Sequence, residues 1–128
     1  MKPKQKTLVV DDQALNRIAT AVVLEDLGFE VHLAASGREA LLQFRANKYD
    51  VIVMDYEMPE MNGLDCSQRI REIEGTSGSD VDRVTIIAFS GSLEEDIRER
   101  CLQAGIDAFV AKSGNSQQLI DVVNRFTG

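Results

Sequence analysis

The chain has 128 residues, 44% of them hydrophobic, and a formal net charge of -7. That length supports one domain with a core of its own, without disulfide or metal staples. The acidic balance argues against binding nucleic acid or an anionic membrane through the domain's own surface, since both need a basic patch. Cys66 and Cys101 lack metal-ligand spacing and fall inside helical patterns, so they read as reduced core or near-core residues of a cytoplasmic protein. A catalytic thiol is disfavoured, with His32 its one candidate imidazole partner.

In chain order, residues 1–5 read as a basic N-terminal tail and residues 6–128 as the domain. The apolar run after the tail, Leu8-Val9-Val10, is far too short for a signal peptide or a membrane span. Residues 7–10 predict a buried strand, and the helical segment after them carries Leu15, Ile18 and Val22 at three- and four-residue steps, predicting a core-facing stripe. Gly28 stands where that helix should stop. Residues 30–34 alternate apolar and polar, as an edge strand does, with His32 expected to be a plain surface side chain. Ser36 and Glu39 have capping-box spacing, so a helix should start near Gly37. Residues 51–54 form a continuous apolar run suited to a central strand, and Asn62-Gly63 opens a helix carrying Ile70 and Ile73.

Residues 74–83 (EGTSGSDVDR) are polar and rich in Gly and Ser, which predicts a mobile surface loop. Residues 84–89 predict another central strand, Ser92 with Glu95 a helix from near Leu93, and Gly105 its end. Residues 108–111 are short and mildly apolar, as a second edge strand would be. The last helix carries Leu119, Val122, Val123 and Phe126 as a core stripe. Five alternations of strand and helix predict an α/β fold, a parallel sheet covered by helices on both faces. There is no internal repeat.

What the strands run into is the informative feature, because open parallel sheets bind ligands beyond their carboxyl ends. The first runs into Asp11-Asp12, the third into Asp55, the fourth into Ser90 and the fifth into Lys112. Right-handed crossovers keep the strands parallel, so these side chains emerge along one rim. Three carboxylates gathered there repel one another unless a cation or protons intervene. An all-oxygen donor set suits Mg²⁺, and the absence of thiol and imidazole donors disfavours zinc. Lys112 and Ser90 are suited to balancing charge on a phosphoryl group, so the residues point to phosphoryl transfer. Asp55, alone at the end of a central strand, is the candidate nucleophile. The plainer reading, in which Asp11, Asp12 and Asp55 merely terminate strands, stands for any one of them but poorly for four polar strand ends together.

These residues resemble the receiver domains of two-component response regulators. LVVDD, VMDYEMPEMNG, IIAFSGS and DAFVAKS occur in that family's order, over residues 7–126. The resemblance implies a flavodoxin-like doubly wound five-stranded parallel sheet of order 2-1-3-4-5 with five helices. It implies that Asp55 is the phosphoacceptor and takes phosphoryl from a phosphohistidine on a sensor histidine kinase or a histidine phosphotransfer domain. Asp11, Asp12, Asp55 and the backbone carbonyl of Glu57 would hold Mg²⁺, with Mn²⁺ as a substitute. Ser90 and Lys112 would bind phosphoryl oxygens. Ser90 and Phe109 would act as the switch, altering the surface of the fourth helix, fifth strand and fifth helix that a downstream protein target reads. Glu57 and Ser92 would tune the phosphoryl lifetime, Glu57 by orienting or by repelling water. Such a domain is no conventional enzyme; it catalyses its own phosphorylation and dephosphorylation. Lys112 is followed by Ser113, where the family usually has a proline after a cis bond, which leaves that peptide cis or trans.

Asn16 and ERCLQAGIDAFVAK look most like receivers of hybrid sensor kinases, and the expectation is a single-domain regulator or a receiver excised from a longer chain. The rival of another class is a haloacid-dehalogenase-type Mg²⁺-dependent phosphatase, but its nucleophile should close the first strand with a second Asp two residues on. A flavodoxin-like cofactor binder is opposed by Asp11-Asp12, which would repel a flavin phosphate. A degenerate receiver used only for protein contacts is opposed by the full set of polar groups.

Overall fold

A computed structural model describes residues 5–76, 83–91, 94–112 and 116–127. Five strands alternate with five helices: β1 (Lys6–Val10), α1 (Ala14–Asp26), β2 (Glu30–Ala34), α2 (Gly37–Ala46), β3 (Val51–Asp55), α3 (Gly63–Thr76), β4 (Thr85–Ser90), α4 (Glu95–Gln103), β5 (Ala108–Ala111) and α5 (Ser116–Thr127). The sheet is parallel with order β2-β1-β3-β4-β5, as the resemblance implied. Chain connections leave β1 and β3 in opposite directions across the sheet, which opens a crevice beyond their carboxyl ends.

The near-continuous apolar runs are the strands covered on both faces. On one face Leu8, Ile52, Met54 and Ile86 pack with Cys66, Ile70 and Cys101. On the other Val9, Val51, Val53 and Ile87 pack with Leu24, Leu119, Val122 and Val123. β2, which alternates, is less buried and lies at an edge. Helix ends follow local chemistry. Ser36 caps α2 by accepting the Glu39 amide at 3.1 Å, and the Glu39 carboxylate accepts the Ala35 amide at 3.1 Å. Gly28 and Gly105 both adopt φ of 97°, the left-handed region that ends α1 and α4.

Five expectations are corrected. Leu15, Ile18 and Val22 are exposed, Leu15 at 84%, and α1 instead buries Thr20, Ala21 and Leu24 on its other side. Phe126 is likewise exposed, while Leu119, Val122 and Val123 are buried as expected. A three- and four-residue period marks an apolar face, not what covers it. α4 begins at Glu95 rather than near Leu93, with Glu94 as an N-cap that makes no side-chain bond. His32 is no plain surface side chain: it is half-buried, its Nδ1 lies 2.8 Å from the Tyr49 hydroxyl and its Nε2 lies 3.0 Å from Glu30, the neighbour two residues back on the same strand face. Of the loop expected over residues 74–83, residues 77–82 lie outside the described residues, and Glu74 is already helical. Its carboxylate accepts from Arg71 and from the Val84 amide. Residues 1–4, Ser92 and the peptide bond between Lys112 and Ser113 also lie outside the described residues.

A polar clasp ties the opposite end of the sheet. The Arg71 guanidinium donates to the carbonyls of Gly105 and Val84 and pairs with Glu74 at 2.7 Å and Asp107 at 3.0 Å. Asp107 in turn accepts the Ile86 amide at 2.8 Å and pairs with Arg83 at 2.7 Å. Five donors in a planar fork let one arginine fasten α3 to both β4 and the turn before β5.

Candidate functional site

β3 ends on Asp55 itself, and the residue following β1 is Asp11, so adjacent strands deliver two carboxylates side by side. Both are 2% exposed. Asp12, one residue on, points to solvent. Each of Asp11, Asp12 and Asp55 offers a carboxylate oxygen, and these atoms lie within 4.8 Å of one another. Lys112, directly after β5, reaches across the rim: its Nζ lies 2.8 Å from Asp55 Oδ1 and 3.3 Å from Asp11 Oδ2. Ser90 closes β4 and is 1% exposed. All the strand-end residues singled out in the sequence thus meet on one rim, and Glu57 joins them through its backbone amide, which donates to Asp55 Oδ1 at 3.2 Å.

The electrostatics of this group are unbalanced, with three carboxylates facing one ammonium. Burial raises the Asp55 pKa from 3.8 to about 6; the Lys112 hydrogen bond opposes the rise and the Asp11 charge adds to it. Burial acts to lower the Lys112 pKa, but its bond to Asp55 and the charges of Asp55 and Asp11 outweigh that and hold it above the ordinary value. The donors on offer are hard oxygens with an excess of negative charge, and that set fits a hard divalent cation. The softer donors lie elsewhere: Cys66 and Cys101 are in the core, where burial pushes their thiols up to about 12 and about 11, and His32 is on the β2 edge. Those pKa values leave no reactive thiolate, against the catalytic-thiol reading.

The surrounding loops hold the rim in shape. Gly63 starts α3 so close to β3 that a Cβ there would come within 2.5 Å of the Asp55 carbonyl oxygen, and its amide donates to Tyr56 O at 2.9 Å. Only glycine fits that approach. Asn62 accepts the Asp65 amide at 2.9 Å as the cap of the same helix. Just before them Glu60 has φ of 67° inside a turn closed by a 2.7 Å bond from Met61 N to Pro59 O, a conformation costly for a residue with a side chain. Arg17, which the sequence reading passed over, donates from Nη1 to the Asp11 carbonyl at 2.8 Å and fixes the loop after β1. Its signal was position alone, a cation in the first turns of the helix that follows the acidic pair.

The exposed face of α1 is unusual. Among the residues of α1 before Glu25, Arg17 carries the one charge, and it turns inward to Asp11. Leu15, Ile18 and Val22 therefore form an uninterrupted apolar stripe that begins beside the acidic rim. Phe109 lies on β5, half-buried against the core on the α3 and α4 side of the sheet.

A sequence profile described as the response regulator receiver domain matches residues 7–124. The chain is 34% identical over 94% of its length to a hybrid signal transduction histidine kinase of Dictyostelium discoideum, and 30% identical over 96% to a probable histidine kinase of Oryza sativa. It spans 7% and 15% of the length of those two relatives. Among solved structures, a chemotaxis protein of Vibrio cholerae superposes with a TM-score of 0.88 at 27% identity, covering 97% of this chain and 99% of that one. The receiver domain of a histidine kinase from Arabidopsis thaliana, complexed with Mg²⁺ and BeF₃⁻, gives 0.81 at 34% identity, covering 96% and 89%. That of a sensor histidine kinase from Pseudomonas aeruginosa, with magnesium ion coordinated in its active site cleft, gives 0.83 at 31%, covering 97% and 98%.

Proposed function

The chain belongs to the response regulator receiver domain family, and from that premise we propose that it is the acceptor in a phosphorelay, with Asp55 taking a phosphoryl group from a phosphohistidine on a sensor kinase or phosphotransfer domain. The observation that carries this reading is the meeting of Asp11, Asp12 and Asp55 on one rim, with Lys112 bridging two of them. Near neutral pH an Asp55 with a pKa of about 6 is largely ionised, so the nucleophile needs no general base. Its free oxygen attacks phosphorus as the P–N bond to the donor histidine breaks, and the bonding pair stays on the imidazole nitrogen. Lys112 transfers its pairing from Asp55 to a phosphoryl oxygen, and the Ser90 hydroxyl donates to another. Asp11, Asp12, Asp55 and the Glu57 carbonyl would hold Mg²⁺ or Mn²⁺, which supplies charge neutralisation for the phosphoryl and the crowded carboxylates.

The exposed stripe on α1 fits the donor's own apolar face, because it starts at the rim and lacks charge that docking would have to desolvate. Movement of Ser90 and Phe109 after capture alters the α4, β5 and α5 surface that a downstream target reads. Glu57, two residues beyond Asp55 in the sequence, and Ser92, two beyond Ser90, tune the phosphoryl lifetime. Hybrid kinases among the relatives make a histidine phosphotransfer domain the favoured exchange partner, and the reduced cysteines fit action in the cytoplasm. The haloacid-dehalogenase reading is not favoured, since Asp55 closes β3 rather than β1 and is followed two residues on by Glu57. Incubation with acetyl phosphate and Mg²⁺ followed by intact mass measurement tests the proposal: one phosphoryl group should appear on the wild type and none on Asp55→Asn. Repeated Mg²⁺-dependent turnover of a small phosphomonoester would sink it.

A further inference from the structure

The Arg98 guanidinium carbon lies 5.8 Å from the centroid of the Phe109 ring, within the range at which a cation is drawn to an aromatic face. Arg98 is exposed on α4 and Phe109 half-buried on β5, so the pair joins a surface helix to the sheet. α4 is held unevenly. Its carboxyl end is fastened by Cys101, its one buried residue, and by the two bonds from Arg71 to the Gly105 carbonyl just beyond it. Its amino end has an N-cap without a side-chain bond. Arg98 sits in that half, next to Ile97, which is partly buried against the core.

The sheet beneath the ring presents small side chains on the way to Ser90. Phe109 is in register with Ala88, and Ser90 with Ala111. Alternation along each strand puts these four side chains on one face. Between the ring and Ser90, the sheet presents only the methyl groups of Ala88 and Ala111. Among the described residues of α4, Ile97 packs in the same apolar cluster as the ring and Arg98 makes the polar contact with it.

We propose that Arg98 is a latch, a positioning residue whose cation–π contact holds the Phe109 ring beneath α4 and so sets how readily the domain enters its phosphorylated conformation. This rests on Asp55 being the phosphoacceptor and on Phe109 moving when it is modified. A ligand that binds the shifted state gains apparent affinity when a contact special to the unshifted state is removed, by up to the factor that contact was worth. For an exposed cation–π pair that factor is about two- to fivefold.

The test is titration with beryllium fluoride, a stable phosphoryl mimic, at fixed Mg²⁺, on a protein labelled at Phe for NMR. Arg98→Ala should tighten apparent binding by about two- to fivefold and shift the Phe109 ring signals of the unliganded protein. Arg98→Lys, which keeps the charge but loses the planar stack, should fall between Arg98→Ala and the wild type. In a Phe109→Leu background, which keeps an apolar side chain and removes the π face, Arg98→Ala should change nothing. An equal change from Arg98→Ala in both backgrounds would mean that Arg98 acts through α4 alone, and would overturn the latch. Unchanged binding and ring signals in Arg98→Ala would overturn it too, while leaving the acceptor reading intact. A wild type that neither binds beryllium fluoride nor takes phosphoryl from acetyl phosphate would overturn both.

Discussion

Replacing the proposed nucleophile should make the metal-free protein more stable. Asp55 is 2% exposed and its pKa rises from 3.8 to about 6, chiefly because burial penalises the charged form. A carboxyl whose folded-state pKa lies above its unfolded value stabilises the fold while protonated, fully so below about pH 4, and that contribution is lost as pH climbs through about 6. A rise of about two units at about 1.4 kcal/mol per unit gives a loss of about 3 kcal/mol by neutral pH. Asp55→Asn keeps the shape and removes the titration. The Lys112 ammonium loses one of its two carboxylate partners in this variant and keeps Asp11 at 3.3 Å, which offsets part of the gain. The expected net stabilisation is about 1–3 kcal/mol near neutral pH. Urea unfolding in a chelating buffer, repeated from about pH 4 to pH 8, measures it. The gap between variant and wild type should widen with pH and flatten above about pH 7. A variant that is less stable at every pH, or a gap that narrows as pH rises, would refute the reasoning.

Other expectations follow from the same geometry. Mg²⁺ should stabilise the wild type and do so far less in Asp12→Ala, read as melting temperature against Mg²⁺ concentration. Arg71→Ala takes the guanidinium from Glu74, Asp107 and the carbonyls of Gly105 and Val84, leaving Asp107 with Arg83 and the Ile86 amide and Glu74 with the Val84 amide, and should cost about 1–3 kcal/mol in urea unfolding; Arg71→Lys should recover less than half, because one ammonium cannot span the fork. Gly63→Ala pushes a methyl against the Asp55 carbonyl and should cost about 1–3 kcal/mol and slow acetyl phosphate labelling. Ile18→Asp should leave stability within about 0.5 kcal/mol and labelling by acetyl phosphate unchanged, yet slow transfer from a phosphorylated histidine donor, because that side chain is exposed on the α1 stripe and makes no bond to the rim's side chains in the described residues.

How far the site was legible depended on whether the deciding interaction is local. Each central strand is a near-continuous apolar run with a polar residue at or just after its end, so Asp11, Asp55 and Ser90 declared both their element and their place at its carboxyl end. Parallel topology then gathered them with Lys112 without any further information. The α1 stripe failed because periodicity is silent about whether a helix's apolar face meets its own core or another protein. The helix in fact packs through Thr20, Ala21 and Leu24, two of them too small or too polar to advertise a core face. His32 failed in part because Tyr49 arrives from the loop beyond α2, although Glu30, two residues back on the same strand face, was legible as a partner; the Arg71 clasp was missed because it joins residues more than thirty positions apart. The raised Asp55 pKa was equally out of reach, since it is a property of burial that no residue type records.

The central claim is that Asp55 itself carries the phosphoryl group. The direct measurement is borohydride reduction of the protein after phosphorylation with Mg²⁺ and a phosphohistidine donor, followed by peptide sequencing by mass spectrometry. An acyl phosphate is reduced to an alcohol, so homoserine should appear at position 55 and nowhere else, and only when donor and Mg²⁺ are both present. Homoserine at position 11 or 12 instead, or an unmodified position 55 in a protein that has taken up phosphoryl, would contradict the account.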